Sequence, residues 1–223
     1  MFIGHYAVGF ASKKLVPGTS LAWFVAGATL LDLLFPLFVI LGWEHARFVS
    51  AATPYLRISL DDYPWSHSLL MAVVWSVAFA LLCWAVTRAR DAALVAGAAV
   101  FSHWVLDLVT HSPDIPLLPG GTARVGLGLW YSTAGTIVVE GLMFVAGIWI
   151  YARVTRARDR VGQWALWGLV AFLALSYIGN LFSSARPDPT VFAWVGLVMG
   201  WLLVVWAWWV DAHREVRGEG ATA

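Results

Sequence analysis

Charged residues are scarce in this chain. They make up 12% of 223 residues, against 61% for hydrophobic residues, whereas a soluble domain has about 25% charged residues. The formal net charge of +1 argues against a nucleic-acid partner. The single cysteine, Cys83, excludes an intrachain disulfide. No lysine or arginine lies inside a long apolar run, so an acid in such a run has no fixed cation beside it.

Long apolar runs are abundant, and many of the 15 tryptophans lie near their ends, as at a membrane interface. A span needs about 20 residues. We therefore predict an all-α, polytopic membrane protein with one domain over residues 1–223. The predicted spans are residues 21–43, 68–87, 92–111, 129–152, 163–182 and 190–210. Residues 2–15 are too short to cross and are predicted as a half-helix, and residues 211–223 as a flexible tail.

The basic residues predict the orientation. With six spans, ten Lys or Arg residues fall on one side and four on the other, which places both termini in the cytoplasm. The N-terminal segment has neither a basic start nor a small-residue cleavage site, so we do not expect a removable signal peptide.

Three acids lie inside predicted spans: Asp32, Asp107 and Glu140. A charge at the centre of a span costs about 2.5–3.5 kcal/mol and usually has a function. Counted at 1.5 Å per residue from the cytoplasmic ends, these acids and His103 lie at about 18–24 Å, in the outer half of the bilayer. His103 and Asp107 are four residues apart, on one helix face, where they can bind one metal ion.

The candidate site contains only nitrogen and oxygen ligands. The predicted metal ligands are His5, Asp32, His67, His103, Asp107, Glu140 and His111. This set suits one or two Zn²⁺ ions, and Mn²⁺ or Fe²⁺ also fit. Asp107 or Glu140 is expected to take the proton of a metal-activated water. The candidate substrate-binding residues are Arg124, Ser66 and Asn180. The alternative is that these polar residues only cap helices, join them, or stay protonated.

The motifs resemble a bacterial family of membrane-bound metal-dependent hydrolases, the LexA-binding, inner-membrane-associated type. Its pattern has an N-terminal His, an Asp near a Pro, a Thr-His-Ser-Leu element and His-x-x-x-Asp before a Pro-rich segment. The matching residues here are His5, Asp32 with Pro36, Ser66 to Leu69, and His103 with Asp107 before Pro113 and Pro116. The resemblance covers residues 1–120 and implies an inner-membrane enzyme. The chain departs from the pattern at Tyr63-Pro64-Trp65.

The order of ligands is also similar to that of zinc-dependent phospholipase C, which ends with a late glutamate. Glu140 stands at that place, and Thr136 stands where that pattern has a further histidine. This similarity implies hydrolysis of a phosphoester and fewer than three zinc ions. A site layout alone does not fix the reaction.

Three functions remain open from the sequence. The first is a metal-dependent hydrolase acting on a lipid or lipid-linked phosphoester in the membrane. The second is a transporter or channel for divalent cations or protons, since intramembrane acids and histidines serve that role too. We expect no inverted repeat and no pair of broken helices, which disfavours transport. The third is a non-catalytic membrane interaction protein. The sequence does not indicate the oligomeric state.

Overall fold

The computed structural model describes residues 1–217, apart from the side chains of residues 60 and 61. The prediction of an all-α chain is confirmed. The helices are α1 Ile3–Ser12, α2 Leu21–Ala28, α3 Leu30–Ile40, α4 Pro64–His67, α5 Leu69–Thr87, α6 Arg90–Thr110, α7 Thr133–Val154, α8 Arg160–Phe182 and α9 Pro189–Ala212. The short strands are β1 His45–Phe48, β2 Ile58–Asp62, β3 Ile115–Pro116, β4 Arg124–Val125, β5 Thr155–Ala157 and β6 Arg214–Val216. They form the antiparallel pairs β1–β2, β3–β4 and β5–β6.

In the described part of the chain, five helices, α5 to α9, are long and apolar enough to cross a membrane. They contain 19 to 24 residues, with mean hydropathies from 1.7 to 2.4, and a span needs about 20 residues. Half or less of the most apolar stretch of each helix is buried inside the protein. The outward-facing apolar side chains are therefore compatible with an integral membrane protein. These helices coincide with the second to sixth predicted spans to within a few residues.

The first predicted span, residues 21–43, is not one continuous helix. Helix α2 ends at Ala28, α3 begins at Leu30, and the pair is bent by 57°. At the break, Thr29 has a non-helical backbone and its hydroxyl donates to the Val25 carbonyl at 2.8 Å. A threonine that bonds back to the preceding turn often bends a helix. Counted as one span, this bent pair gives six spans in the described residues. The bend itself is a feature that hydropathy does not register.

Helix α1 lies inside the protein. Eight of its ten residues are buried, and glycines let it approach its neighbours closely. A Cβ on Gly147 of α7 would lie 2.5 Å from the Ala7 carbonyl oxygen, and one on Gly9 would lie 3.0 Å from the Val25 Cα. Small residues at such contacts let helix backbones come together in membranes. The predicted half-helix is therefore present, and its packing brings His5 into the interior.

A buried ion pair joins four helical segments at the end of the bundle remote from His5. Lys13 Nζ lies 2.6 Å from Asp211 Oδ2 and 2.7 Å from the Thr19 carbonyl oxygen. Asp211 also accepts hydrogen bonds from the Leu21 amide at 3.1 Å and the Tyr151 hydroxyl at 2.9 Å. The Lys13 and Asp211 side chains are only 5% and 10% exposed. This network fixes the end of α1 against α2, α7 and α9.

The predicted flexible tail differs from the structure over residues 211–217. Asp211 and Ala212 complete α9, and β6 pairs with β5 in the register Thr155 to Val216. Arg214 is buried and donates to the Thr155 hydroxyl at 3.0 Å and the Gly162 carbonyl at 3.0 Å. Residues 218–223 of the predicted tail lie outside the described residues.

We expect Asp211→Ala to destabilise the protein strongly, because it leaves the Lys13 ammonium buried without its carboxylate. Breaking one side of a buried ion pair typically costs about 3–5 kcal/mol. The matched control is Glu215→Ala, which removes the partner of Arg156 at the surface and should cost less than about 1 kcal/mol. Denaturant unfolding in detergent measures both, and equal losses would contradict this account.

Candidate metal centre

Four separate segments bring one carboxylate and histidine cluster together. His5 comes from α1, Asp32 from the first turn of α3, His67 from the last residue of α4, and His103 with Asp107 from successive turns of α6. The break before α3 places Asp32 at a helix N-terminus, where the helix dipole favours an anion. The cluster is buried except at Asp32, whose side chain is 50% exposed.

Asp107 lies at the centre of the cluster. Its Oδ1 is 3.1 Å from His5 Nε2, and its Oδ2 is 3.0 Å from His103 Nε2 and 3.8 Å from His67 Nε2. Asp32 Oδ1 faces the same rings, at 3.6 Å from His67 Nε2 and 3.7 Å from His103 Nε2. The sequence therefore predicted correctly that these five residues converge.

The five residues form two overlapping groups of three possible ligands. One group is His5, His103 and Asp107, and the other is Asp32, His67 and His103, with the ligand atoms of each group within 4.8 Å of one another. Ligands about 2.0–2.1 Å from a tetrahedral zinc ion lie about 3.3 Å apart. The observed separations of 3.0 to 3.8 Å therefore suit a bound ion after small side-chain movements.

Hydrogen bonds on the outer side of His103 fix which of its nitrogens carries the proton. Its Nδ1 lies 2.8 Å from the Ala28 carbonyl oxygen, and a carbonyl can only accept, so Nδ1 donates. Ala28 ends α2, where the helix leaves carbonyls without an intrahelical partner. A neutral His103 therefore directs the lone pair of Nε2 towards Asp107. That Nε2 is buried and has no hydrogen-bond partner within residues 1–217.

His67 and His111 follow the same arrangement. His67 Nδ1 lies 2.6 Å from Ser66 Oγ, and His111 Nδ1 lies 3.1 Å from Asp114 Oδ1. In each ring, the outer nitrogen is held and Nε2 faces the cluster carboxylates. Metal-binding histidines nearly always donate their other ring N–H to such a partner. The donor set thus fits a divalent metal ion on the structure's own geometry.

A cation resolves an electrostatic conflict in this cluster. Neutral imidazole lone pairs and carboxylate oxygens are both negative, so they repel when they face each other across 3 to 4 Å without a proton or a cation. The alternative is that a ring is protonated, and His103 would then pair with Asp107 as a buried imidazolium. A divalent metal satisfies the nitrogens and the carboxylate of one ligand group together, whereas one proton satisfies a single contact.

Glu140, predicted as a ligand or base, contacts the start of α1. Its Oε2 accepts hydrogen bonds from the backbone amides of Phe2 and Gly4 at 2.8 and 3.2 Å. Because the first amides of a helix have no intrahelical acceptor, Glu140 holds the N-terminus of α1. It belongs to neither group of three ligands. The Met1 amino group lies close by, 2.5 Å from Asp107 Oδ1.

His111 is next to the cluster but outside both ligand groups. Its Nε2 is 3.9 Å from Asp107 Oδ1, and its ring packs against Trp130 with centroids 4.0 Å apart. Asp114 accepts from the Tyr63 hydroxyl and from Ser112 at 2.9 and 2.6 Å. The pKa of Asp114 lies below its ordinary value, because hydrogen bonds from His111 and its neighbours outweigh the effect of burial.

The predicted substrate-binding residues do not come together. Ser66 is buried and occupied by His67 and Glu44. Arg124 lies exposed on β4 and donates to the Gly121 carbonyl at 2.8 Å, and Asn180 lies exposed near the end of α8. Two other arginines, Arg57 and Arg186, line a surface recess of about 260 Å³ whose described lining contains no acid.

The sequence analysis missed Glu44, which is fully buried beside Ser66. Glu44 directly follows the first predicted span, residues 21–43. Its partners, Trp65 and Ser66, lie more than 20 residues away, so no local spacing indicated the contact. Burial raises the pKa of Glu44 above its ordinary value, and the hydrogen bonds from Ser66 oppose that rise.

Comparisons of this chain with protein families, with curated proteins and with solved structures found no match.

Proposed function

We propose that this protein is a membrane-embedded, metal-dependent hydrolase that acts on a phosphoester of a lipid or a lipid-linked substrate. The observation that carries this proposal is the common orientation of His67, His103 and His111, whose Nε2 atoms face two clustered carboxylates. A site that only joined helices would not need the outer nitrogens of these three rings to be held. The resemblance of the motif order to membrane-bound metal-dependent hydrolases supports the reaction class.

The residues proposed to hold the metal are those of the two groups, with His103 common to both. They are His5, Asp32, His67, His103 and Asp107. When bound, a divalent ion such as Zn²⁺ lowers the pKa of a coordinated water towards 7 and makes it a nucleophile. His111 and Glu140 lie next to these five residues. His111 is hydrogen-bonded to Asp114, and Glu140 accepts a hydrogen bond from the Phe2 amide at the start of α1.

Access to the site is proposed to be at Asp32. It is half exposed, whereas Asp107 and the three central histidines are at most 5% exposed. Water and the phosphoester would therefore meet the cluster on the α3 side, and the opposite side stays closed by α1 and α6. A carboxylate turned to hydrocarbon is unfavourable, so this opening must admit water or a polar headgroup. This placement favours a substrate with a polar head and an apolar anchor.

We expect purified protein to bind a divalent metal, and Asp107→Ala or His103→Ala to lose it. Each substitution removes a central ligand, and His103 belongs to both groups. Asp91→Ala, at an exposed acid on the same helix, and His45→Ala, at an exposed histidine, are the matched controls. Elemental analysis after gel filtration gives the metal content. A His103→Ala protein that keeps stoichiometric metal would exclude this site, and metal-free wild-type protein would favour the interaction-protein alternative.

We expect the detergent-solubilised, zinc-loaded protein to release phosphate-containing product from a phospholipid or a polyprenyl monophosphate in mixed micelles. The activity should disappear with a chelator, return with zinc, and be absent from Asp107→Ala. The release of the water-soluble fragment measures turnover. If metal-loaded protein hydrolyses neither substrate class, the phosphoesterase assignment fails even though the metal site stands.

A transporter of divalent cations is the second candidate, because of the bent pair α2–α3. The described residues contain one bent pair of helices with an acid just after the break, and discontinuous helices are a feature of transporters. Transporters usually carry such breaks in pairs at corresponding positions, and the described residues contain one bent pair. This difference leaves hydrolysis favoured.

Uptake by liposomes separates the two functions. We expect zinc added outside proteoliposomes to stay outside, as reported by an enclosed zinc-sensitive dye, because the cluster is closed on the side of α1 and α6. Asp32→Asn proteoliposomes are the control. Uptake by the wild type that Asp32→Asn abolishes would replace the hydrolase with a transporter.

A further inference from the structure

Glu44 connects a loop to the metal-binding face of His67. It follows the end of α3, its side chain is fully buried, and its Oε1 accepts hydrogen bonds from the backbone amides of Trp65 and Ser66 at 2.8 and 2.7 Å. Its other oxygen, Oε2, is 2.7 Å from Ser66 Oγ. These three donors favour the ionised carboxylate and oppose the rise in its pKa that burial causes. The two amides belong to the first turn of α4, so Oε1 caps that short helix while Oε2 remains for the serine.

Glu44, Ser66 and His67 are linked by consecutive hydrogen bonds. The direction of these hydrogen bonds follows from the number of available protons. An ionised Glu44 only accepts, so the single hydroxyl proton of Ser66 points to Oε2. Ser66 Oγ must then accept from His67 Nδ1, which lies 2.6 Å away. His67 is therefore held as the tautomer with its proton on Nδ1. Its Nε2 keeps a lone pair directed at Asp32 and Asp107.

Capping of α4 alone does not explain this arrangement. A residue needed only as a cap would use the backbone amides, and the contact from Oε2 to the Ser66 hydroxyl would be dispensable. The hydroxyl lies between Glu44 and His67 with short contacts on both sides. All three side chains are buried, so water does not compete for these protons.

We propose that Glu44 is a positioning residue that sets the tautomer and the ring orientation of His67 through Ser66. The inference rests on the proposed metal centre. It adds that Glu44, a residue outside the predicted spans, affects how His67 binds the metal. Glu44 touches neither the cluster carboxylates nor an open surface. It acts by keeping Nε2 of His67 free to bind the metal.

Two variants test the hydrogen bonds that link Glu44 to His67 through Ser66 in different ways. In Glu44→Gln, the amide oxygen can still cap α4, but the amide nitrogen donates to Ser66 Oγ. The hydroxyl proton then turns to His67 Nδ1, and the ring proton moves to Nε2, where the metal would bind. Ser66→Ala removes the connection and leaves the contacts of Glu44 to the backbone amides. Glu215→Gln, at a glutamate that pairs with Arg156 on the surface, is the matched control.

The readouts are zinc affinity and the histidine tautomer. We expect competition with a chromophoric chelator to show zinc binding about 10–100-fold weaker in Glu44→Gln and Ser66→Ala, the usual effect of losing an outer hydrogen bond to a ligand. The double variant should be no more than about twofold weaker than the weaker single variant, because both changes break one chain. In metal-free, ¹⁵N-histidine-labelled protein, NMR should show His67 protonated on Nδ1 in the wild type and on Nε2 in Glu44→Gln. Glu215→Gln should match the wild type.

The outcomes separate this inference from the proposed function. If the wild type binds zinc and both variants bind it equally well, Glu44 has no positioning role and the metal centre stands. If the wild type binds no zinc but the His67 tautomer changes in Glu44→Gln, the metal centre falls and the control of His67 stands. An unchanged tautomer in a folded Glu44→Gln protein overturns the inference. Should Glu44→Gln not fold, an unchanged zinc affinity in Ser66→Ala does the same.

Discussion

The structure depends on one constraint, the burial of the Asp107 carboxylate without a lysine or arginine beside it. Removing an ion from water costs several kcal/mol unless its oxygens are compensated. Here the compensation comes from the Met1 amino group and from His5, both within 3.1 Å of Asp107 Oδ1. His103 Nε2, 3.0 Å from Oδ2, adds to it only with a proton or a cation between the two atoms. Helix α1 packs among the long helices at the place where Met1 and His5 contact Asp107. The backbone amides at the start of α1 donate hydrogen bonds to Glu140. A displaced α1 would take Met1 and His5 away from Asp107 and the two backbone amides away from Glu140.

The break between α2 and α3 serves the same centre in two ways. It leaves the Ala28 carbonyl free to accept from His103, and it starts a new helix whose first turn carries Asp32. A continuous helix would use that carbonyl within its own ladder and would place Asp32 in mid-helix, without the favourable dipole. The same break is the feature that a transporter would share. The number of inward-facing nitrogens distinguishes the two readings, since a permeating ion must bind weakly enough to leave.

The sequence predicted the long helices and the convergence of His5, Asp32, His67, His103 and Asp107. Hydropathy, the four-residue spacing in α6 and the counting of depth were sufficient, because these depend on local composition and helix geometry. It did not predict the bend at Thr29, the buried pair of Lys13 with Asp211, or the burial of Glu44. Each of these depends on a contact between residues far apart in the chain, which no periodicity records. Glu140 illustrates the limit, since it lies next to the cluster and its hydrogen-bond partners were not foreseen.

The three oriented histidines differ in how firmly their protons are held. A backbone carbonyl cannot donate, so Ala28 fixes His103 in one tautomer whatever the surroundings do. Asp114 does the same for His111 as long as it is ionised, and its lowered pKa keeps it so. A hydroxyl can both donate and accept, so Ser66 fixes His67 only because Glu44 takes its proton. His103, which belongs to both ligand groups, thus has the partner that can adapt least, the Ala28 carbonyl. His67, which lies beside half-exposed Asp32, has the partner that can adapt most, the Ser66 hydroxyl. The rigid part of the centre is built by the long helices, and the adjustable part by the loop that carries Glu44.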